Sequence, residues 1–454
     1  MSVIDRHRLA SLIQRERAAY AEAHPASKEL NQSASHLLRR VPMTWMARWS
    51  GGFPLYLDHA RGNRVVDVDG HEYVDFALGD TGAMAGHSPQ PTVDAVTERM
   101  GRLGGITAML PTADAEWVAA ELTRRFGLAH WSFTLTATDA NRWAIRLARL
   151  VTGRTKVLVF AYCYHGSVDE AFALAGTDGE AVARPGNVGP PVPLHHTTRV
   201  AEFNDLASVE SALAHGDVAA ILTEPALTNI GIVLPDPGFM SGLRELATRY
   251  GALLMIDETH TISAGPGGAT RLWDLQPDIF VIGKSIGGGI ASGAYGISTQ
   301  VLGLVEAHEE ADLEDVGGVG GTLAGNALST AAMRATLEHV LTDDAFGRMV
   351  DLATRFTTGV QETIERAGLA WSVSQLGART EYRFASPAPR DGSSAAAAGD
   401  SDLEEFLHLY LANRGVLITP FHNMALMCPD TSSGDVDLHT LLFAAAIDDL
   451  LGLA

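Results

Sequence analysis

The sequence predicts an α/β protein built on a mostly parallel sheet with helices on both faces. Three observations carry this. Short, wholly apolar runs recur at Val157-Leu-Val-Phe160, Ala219-Ala-Ile-Leu-Thr223, Leu253-Leu-Met-Ile256 and Ile279-Phe-Val-Ile282. A run that is apolar at every position, rather than at alternate ones, suits a strand buried on both faces. Helical stretches alternate with these runs from about residue 90 to 330, the rhythm of crossover connections. The 454 residues exceed one minimal core and suffice for two domains.

The elements follow in order. Residues 3–39 read as one or two polar helical segments, interrupted by Pro25. Residues 53–76 alternate in strand fashion, with Asp69-Gly70 as a hairpin turn. After the alternating region, residues 325–366 carry a helical pattern, and the tail returns to mixed strand and helix. Pro387 to Ser401, rich in Ala, Gly, Ser and Pro, reads as a surface loop. The expected division is an N-terminal segment at 1–75 contributing to a small domain, a large domain at 76–330 and a C-terminal small domain at 331–454.

Composition narrows the function classes. There are 33 basic against 54 acidic residues and a net charge of −21. That balance opposes nucleic-acid binding, which needs a basic face. Cys163 and Cys428 lie far apart with no CxxC; they allow one disulfide, but the usage favours a reduced, cytoplasmic enzyme. No apolar h-region follows Met1, and no run approaches the roughly 20 apolar residues of a membrane span, so neither a signal peptide nor a membrane anchor is expected. The 17 histidines form no HExxH, and no metal is expected.

Lys284 is the most telling residue. It ends the run Ile279-Phe-Val-Ile-Gly and precedes Gly287-Gly-Gly. A lysine at the end of a buried strand is costly unless its amine is used. Asp257 ends a second apolar run 27 residues earlier. A strand-end amine and a strand-end carboxylate suit pyridoxal phosphate, which needs an amine for its aldehyde and a carboxylate for its pyridinium nitrogen. Neighbours on a strand face opposite ways, so only one of Asp257 and Glu258 can point at such a ring.

Further candidates surround this pair. Thr136 or Thr138 can cap a helix that opens after Trp131-Ser-Phe-Thr-Leu, and a helix N-terminus of this kind binds phosphate. Tyr164 follows the strand ending at Phe160 and could stack on a flat ring. Glu224 ends another strand, to orient a site or to cap a turn. Gly320-Gly-Thr-Leu-Ala-Gly-Asn326 is a second small-residue loop, where Thr322 could donate to a phosphate. A Walker motif is excluded because its first glycine would fall at Asp278.

Taken together, these strings resemble the class III aminotransferases, a branch of the fold-type I pyridoxal phosphate enzymes. The resemblance runs from about residue 52 onward and is carried by Gly251-Ala-Leu-Leu-Met-Ile-Asp-Glu-Thr, Ile282-Gly-Lys-Ser-Ile-Gly-Gly-Gly and Gly320-Gly-Thr-Leu-Ala-Gly-Asn. Val66-Asp-Val-Asp-Gly, Gly86-His87 with Pro89, and Tyr164-His-Gly are further matches to the family, while Glu224-Pro with Pro235-Asp-Pro-Gly-Phe, and Arg414-Gly-Val-Leu, look like the glutamate-1-semialdehyde aminomutase branch, which also holds β-amino-acid aminotransferases. The resemblance implies a large domain with a mostly parallel seven-stranded sheet between helices, plus a small α+β domain from both chain ends. It implies that Lys284 forms the internal aldimine and moves protons, and that Asp257 keeps the pyridine nitrogen protonated. Thr136, Ala137 and Thr138 would form the phosphate cup, and Tyr164 would stack on the ring. Glu224 and Thr259 would lie at the cofactor, and Thr322 would reach the phosphate of the partner subunit of a homodimer.

The chain departs from the family at four places. Thr136-Ala-Thr stands where Ser-Gly-Thr is usual, Asp139 where glutamate is usual, and Thr259 where a valine packs under the ring. Trp45 stands where the aminomutase branch has an arginine. Arg379 stands where that branch has methionine, and either holds a substrate carboxylate or pairs with Glu381. The expected activity is an aminotransferase moving an amino group from an amine or amino acid to a keto acid or aldehyde. An intramolecular aminomutase or racemase on the same fold is the alternative, and a non-catalytic cofactor-binding protein is opposed by the intact Lys284 and Asp257.

Overall fold

The computed structural model describes residues 4–308 and 321–453. The chain divides into two compact units. The larger comprises Pro89–Phe346 and Pro389–Ala397; the smaller comprises the chain up to Ser88, Gly347–Ala388 and the chain from Ala398.

In the larger unit the four apolar runs become adjacent parallel strands, Ile279–Gly283, Leu253–Asp257, Val218–Thr223 and Lys156–Phe160, buried except at half-buried Leu253 and Lys156. Thr198–Ala201 extends the sheet beside Lys156–Phe160. Gly293–Ile297 and His130–Thr134 complete seven strands at the other edge. Gly293–Ile297 runs antiparallel to both neighbours, so the sheet is mostly parallel. This Gly-Ala-Tyr-Gly-Ile strand has no β-branched run to announce it, yet all five residues are buried. Pairing of Asp257 with Val281 brings the ends of the Asp257 and Lys284 strands to one edge of the sheet. Parallel sheets present their functional residues at such carboxyl ends.

The helix Ala137–Thr152 packs on this sheet through Ala140, Ala144, Ile145, Leu147 and Ala148. Three small alanines on the buried face let its axis approach the strands closely. Gly153 ends it in the left-handed conformation at φ 65°. Among the described residues no helix is long and apolar enough to cross a membrane.

The smaller unit joins both chain ends. Asp5 caps Arg6–Ala23 by accepting from the N–H groups of His7 and Arg8, and Pro25 opens the next helix, Pro25–Ser33. The hairpin at Asp69-Gly70 joins Arg64–Asp67 to Glu72–Asp75 in a four-stranded sheet whose last member is Val416–Leu417. A second sheet, Ser372–Leu376, Arg379–Arg383 and Met424–Leu426, is antiparallel. Ser433–Leu451 closes the unit with a capping box between Ser432 and Asp435.

The expected surface loop at Pro387–Ser401 differs. Gly392–Ala397 is a short helix, and residues 389–397 belong to the larger unit. Asn204 Nδ2 donates to the Arg390 carbonyl at 2.7 Å, and Arg390 pairs with Asp236. A Cβ on Gly392 would fall 2.1 Å from the Ala161 carbonyl oxygen. Composition reports the polarity of this stretch; these distant partners decide that it is anchored.

Candidate active site

The site is assembled at the carboxyl ends of the larger unit's strands. Thr136 caps the helix Ala137–Thr152 by accepting from the Asp139 N–H at 3.1 Å, and its hydroxyl donates to Asp139 Oδ2 at 2.9 Å. The helix end is held by close backbone approach. A Cβ on Gly293 would lie 2.8 Å from the Thr136 carbonyl, and one on Gly166 (φ +73°) would lie 2.1 Å from Thr138 Oγ1. Thr138 Oγ1 also accepts from the Ser167 N–H at 3.1 Å. The positive end of a four-turn helix, ringed by Thr136, Ala137 and Thr138, is a cradle for a phosphate.

Asp257 and Glu258 separate as alternation requires. The Asp257 carboxylate is buried, 2.7 Å from Asn141 Nδ2 and 3.0 Å from His165 Nδ1, and accepts from the Thr259 N–H. Burial opposes its charge, but His165, Thr259 and Asn141 hold its pKa below the usual carboxylate value. Burial also opposes charge on His165, while Cys163 and Asp257 raise its pKa to about 10. Asp257 is thereby kept ionised without solvent, the state that a pyridinium nitrogen requires. Glu258 accepts from the Thr270 N–H at 2.8 Å and from the Thr261 hydroxyl, and burial pushes its pKa up to about 7.

Lys284 stands directly after its strand with φ +53°, a left-handed conformation that costs a non-glycine residue about 1–2 kcal/mol. Such strain persists where the surroundings enforce it and is characteristic of functional positions. Its Nζ lies 2.8 Å from His260 Nε2. Glu224 is buried, which raises its pKa, and both of its oxygens are engaged: one accepts from the Tyr164 N–H at 3.3 Å, the other from the Thr228 N–H at 3.1 Å and the Thr228 hydroxyl. Glu224 therefore braces the turn that carries Tyr164, whose ring meets Phe172 edge-on at 6.0 Å. Thr322 lies exposed in the turn Gly321–Leu323; Gly320 of the same loop lies outside the described residues.

Residues 45–442 match the family described as aminotransferase class III. The chain belongs to the class III aminotransferase family. It is 33% identical over 383 residues to glutamate-1-semialdehyde 2,1-aminomutase of Chloroflexus aggregans, covering 82% of this chain and 85% of that one. A solved lysine-to-alanine form of a glutamate-1-semialdehyde-aminomutase from Pseudomonas aeruginosa PAO1, in complex with PMP, is 48% identical. It covers 98% of this chain and 99% of that one, with a TM-score of 0.95. The β-phenylalanine aminotransferase of Variovorax paradoxus is 26% identical, with a TM-score of 0.84, covering 96% of this chain and 97% of that one.

As a class III enzyme the protein uses pyridoxal phosphate. The geometry fits that group: a helix end for the phosphate, an ionised buried carboxylate for the ring nitrogen, and a strand-end amine. Asn141, His165 and His260 escaped the sequence analysis as site residues. His165 sits inside the Tyr164-His-Gly string, His260 directly follows the string that ends at Thr259, and Asn141 lies in the helix that Thr136 caps, but a role needs the contact to be seen.

Trp45 and Arg379 lie in the smaller unit. Trp45 is in the turn Thr44–Arg48, its ring 5.6 Å from that of Phe421. Arg379 is 1% exposed and pairs with Asp80 at 3.0 Å. The pairing with Glu381 considered from the sequence is thus replaced: although the two share a strand face, Asp80 is the carboxylate in hydrogen-bond reach. Among the described residues Arg379 Nε and Nη1 have no hydrogen-bond partner.

Proposed function

We propose that this enzyme shifts an amino group between neighbouring carbons of one small, carboxylate-bearing amino aldehyde, the reaction of a 2,1-aminomutase. The observation that carries this reading is the likeness to proteins named glutamate-1-semialdehyde aminomutases at 33% identity over 82% of the chain and 48% over 98%. It takes the place of the aminotransferase expected from the sequence as the leading reading. Pyridoxal phosphate, when bound, supplies an electron sink for the substrate carbanion. Lys284 holds and moves the proton at Nζ, taking it from one carbon and returning it to another. Asp257 stays ionised to hold the ring nitrogen's proton. The Thr136–Thr138 helix end binds the phosphate, and Tyr164 stacks on the ring. Arg379, which stands where the aminomutase branch has methionine, is the proposed holder of a substrate carboxylate.

A specific feature favours a second reading, aminotransfer between two molecules. Trp45 stands where the aminomutase branch carries an arginine, and an aromatic ring favours an apolar substituent. The likeness to the β-phenylalanine aminotransferase points the same way. The deciding experiment offers the holoenzyme glutamate 1-semialdehyde alone, then β-phenylalanine with a keto acid. Isomerisation of the semialdehyde with no carbonyl co-product supports the mutase. Turnover of β-phenylalanine that consumes keto acid mole for mole, with the semialdehyde untouched, overturns it in favour of the transferase.

A further inference from the structure

We propose that His24, Asp67 and His71 of the smaller unit form a binding site for one divalent transition-metal ion of the zinc class. Their donor atoms all lie within 4.8 Å of one another. His24 Nε2 is 3.5 Å and His71 Nδ1 is 3.4 Å from Asp67 Oδ2. Ligands held about 2.0–2.1 Å from a tetrahedral zinc ion stand roughly 3.3–3.4 Å apart, so both edges already have the spacing such an ion imposes. His24 is the junction of the helices Arg6–Ala23 and Pro25–Ser33, Asp67 ends the strand Arg64–Asp67, and His71 lies in the hairpin that follows. No short motif announces the site, because the fold brings the first histidine to the other two ligands.

Two of the ligands are oriented from behind. His24 Nδ1 lies 2.7 Å from the Tyr20 carbonyl, which can only accept, so the proton of the neutral ring sits on Nδ1 and Nε2 is a lone pair. Asp67 Oδ1 accepts from the N–H groups of Asp69 and His71 at 3.0 and 2.9 Å, leaving Oδ2 for the two rings. Metal-binding histidines and carboxylates are fixed by outer hydrogen bonds of this kind. The proton count then calls for a cation. Tyr73 Oη lies 2.7 Å from His24 Nε2 and 2.7 Å from Asp67 Oδ2, with one hydroxyl proton for two contacts to acceptors. An ion on Nε2, Oδ2 and His71 Nδ1 removes the conflict: Nε2 gives its lone pair to the ion, and the Tyr73 hydroxyl donates to Asp67. His71 then carries its proton on Nε2. His71 is exposed, which gives the ion a path from solvent, and water completes the coordination. Two imidazoles and a carboxylate suit zinc and its first-row neighbours rather than magnesium or calcium, which take oxygen donors. A second proton on His24 is the competing way to resolve the same conflict, and the test separates the two.

The test titrates the holoenzyme, first freed of metal by a chelator, with Zn²⁺ alone near neutral pH and follows binding by calorimetry. Wild type is expected to take one ion per chain with a Kd of about 10 μM or tighter, and Mg²⁺ is expected not to compete. His71→Gln and His24→Gln are each expected to weaken binding by about tenfold or more. His59→Gln, an exposed histidine beside Asp58, is expected to bind as wild type does and controls for loose surface binding. Wild-type binding weaker than that limit overturns the proposal and leaves a second proton in the cluster, as does a folded His71→Gln that binds as tightly as wild type. If His24→Gln does not fold, His71→Gln decides alone, since its side chain lies at the surface.

Discussion

At the scale of the residue, the contrast between Asp257 and Glu258 decides most. Both are buried carboxylates on one strand end, yet one is held ionised by His165 and Asn141 while the other is pushed toward neutrality. Asp257→Asn should lower turnover by about 10²- to 10³-fold, the size of losing one preorganised electrostatic partner, measured as steady-state kcat with cofactor saturating. Glu258→Gln should keep activity within a few-fold. It should also change the pH dependence of stability. A carboxyl whose folded pKa is raised from 4.5 to about 7 contributes its stability fully below pH 4.5 and loses it as pH rises through about 7. Melting temperatures from pH 5 to 8 should therefore show wild type falling relative to Glu258→Gln. A constant difference across that range would contradict the assignment. Lys284 should be the lysine that retains a pyridoxyl label after borohydride reduction and peptide mapping; label on another lysine would exclude it.

At the scale of the element, the helix Ala137–Thr152 and its glycine contacts form the proposed seat of the cofactor's phosphate. Gly166 is the sharpest point, since a side chain there meets both an unfavourable φ of +73° and an approach of 2.1 Å to Thr138 Oγ1. Gly166→Ala should destabilise by about 1–3 kcal/mol and weaken pyridoxal phosphate binding, read by thermal melting and by cofactor titration. The strands around this seat were legible because full burial demands apolar residues at every position. Gly293–Ile297 was not, because glycines are selected there by contact with Trp131 and with the Thr136 backbone rather than by strand propensity. Residues 389–397 escaped for a related reason: the partners that anchor them, Asn204, Asp236 and Ala161, are remote in sequence.

At the scale of the whole molecule, we propose that the enzyme works as a homodimer in which Thr322 reaches the phosphate at the neighbouring subunit. Sedimentation should give a dimer. Mixing inactive Lys284→Ala chains with Thr322→Val chains should produce hybrid dimers whose activity differs from either parent. An active monomer would end this proposal.

The sequence by itself determined the fold class, the strand-end lysine and aspartate, the capped helix and the family, because burial periodicity, capping and short turns are local and leave local marks. Only the tertiary structure decided that Asp257 is ion-paired to His165, that Arg379 answers to Asp80 and that His260 touches Lys284. These contacts join residues up to 299 positions apart, and a hydrogen bond between distant side chains has no signature along the chain until the sheet brings its ends together.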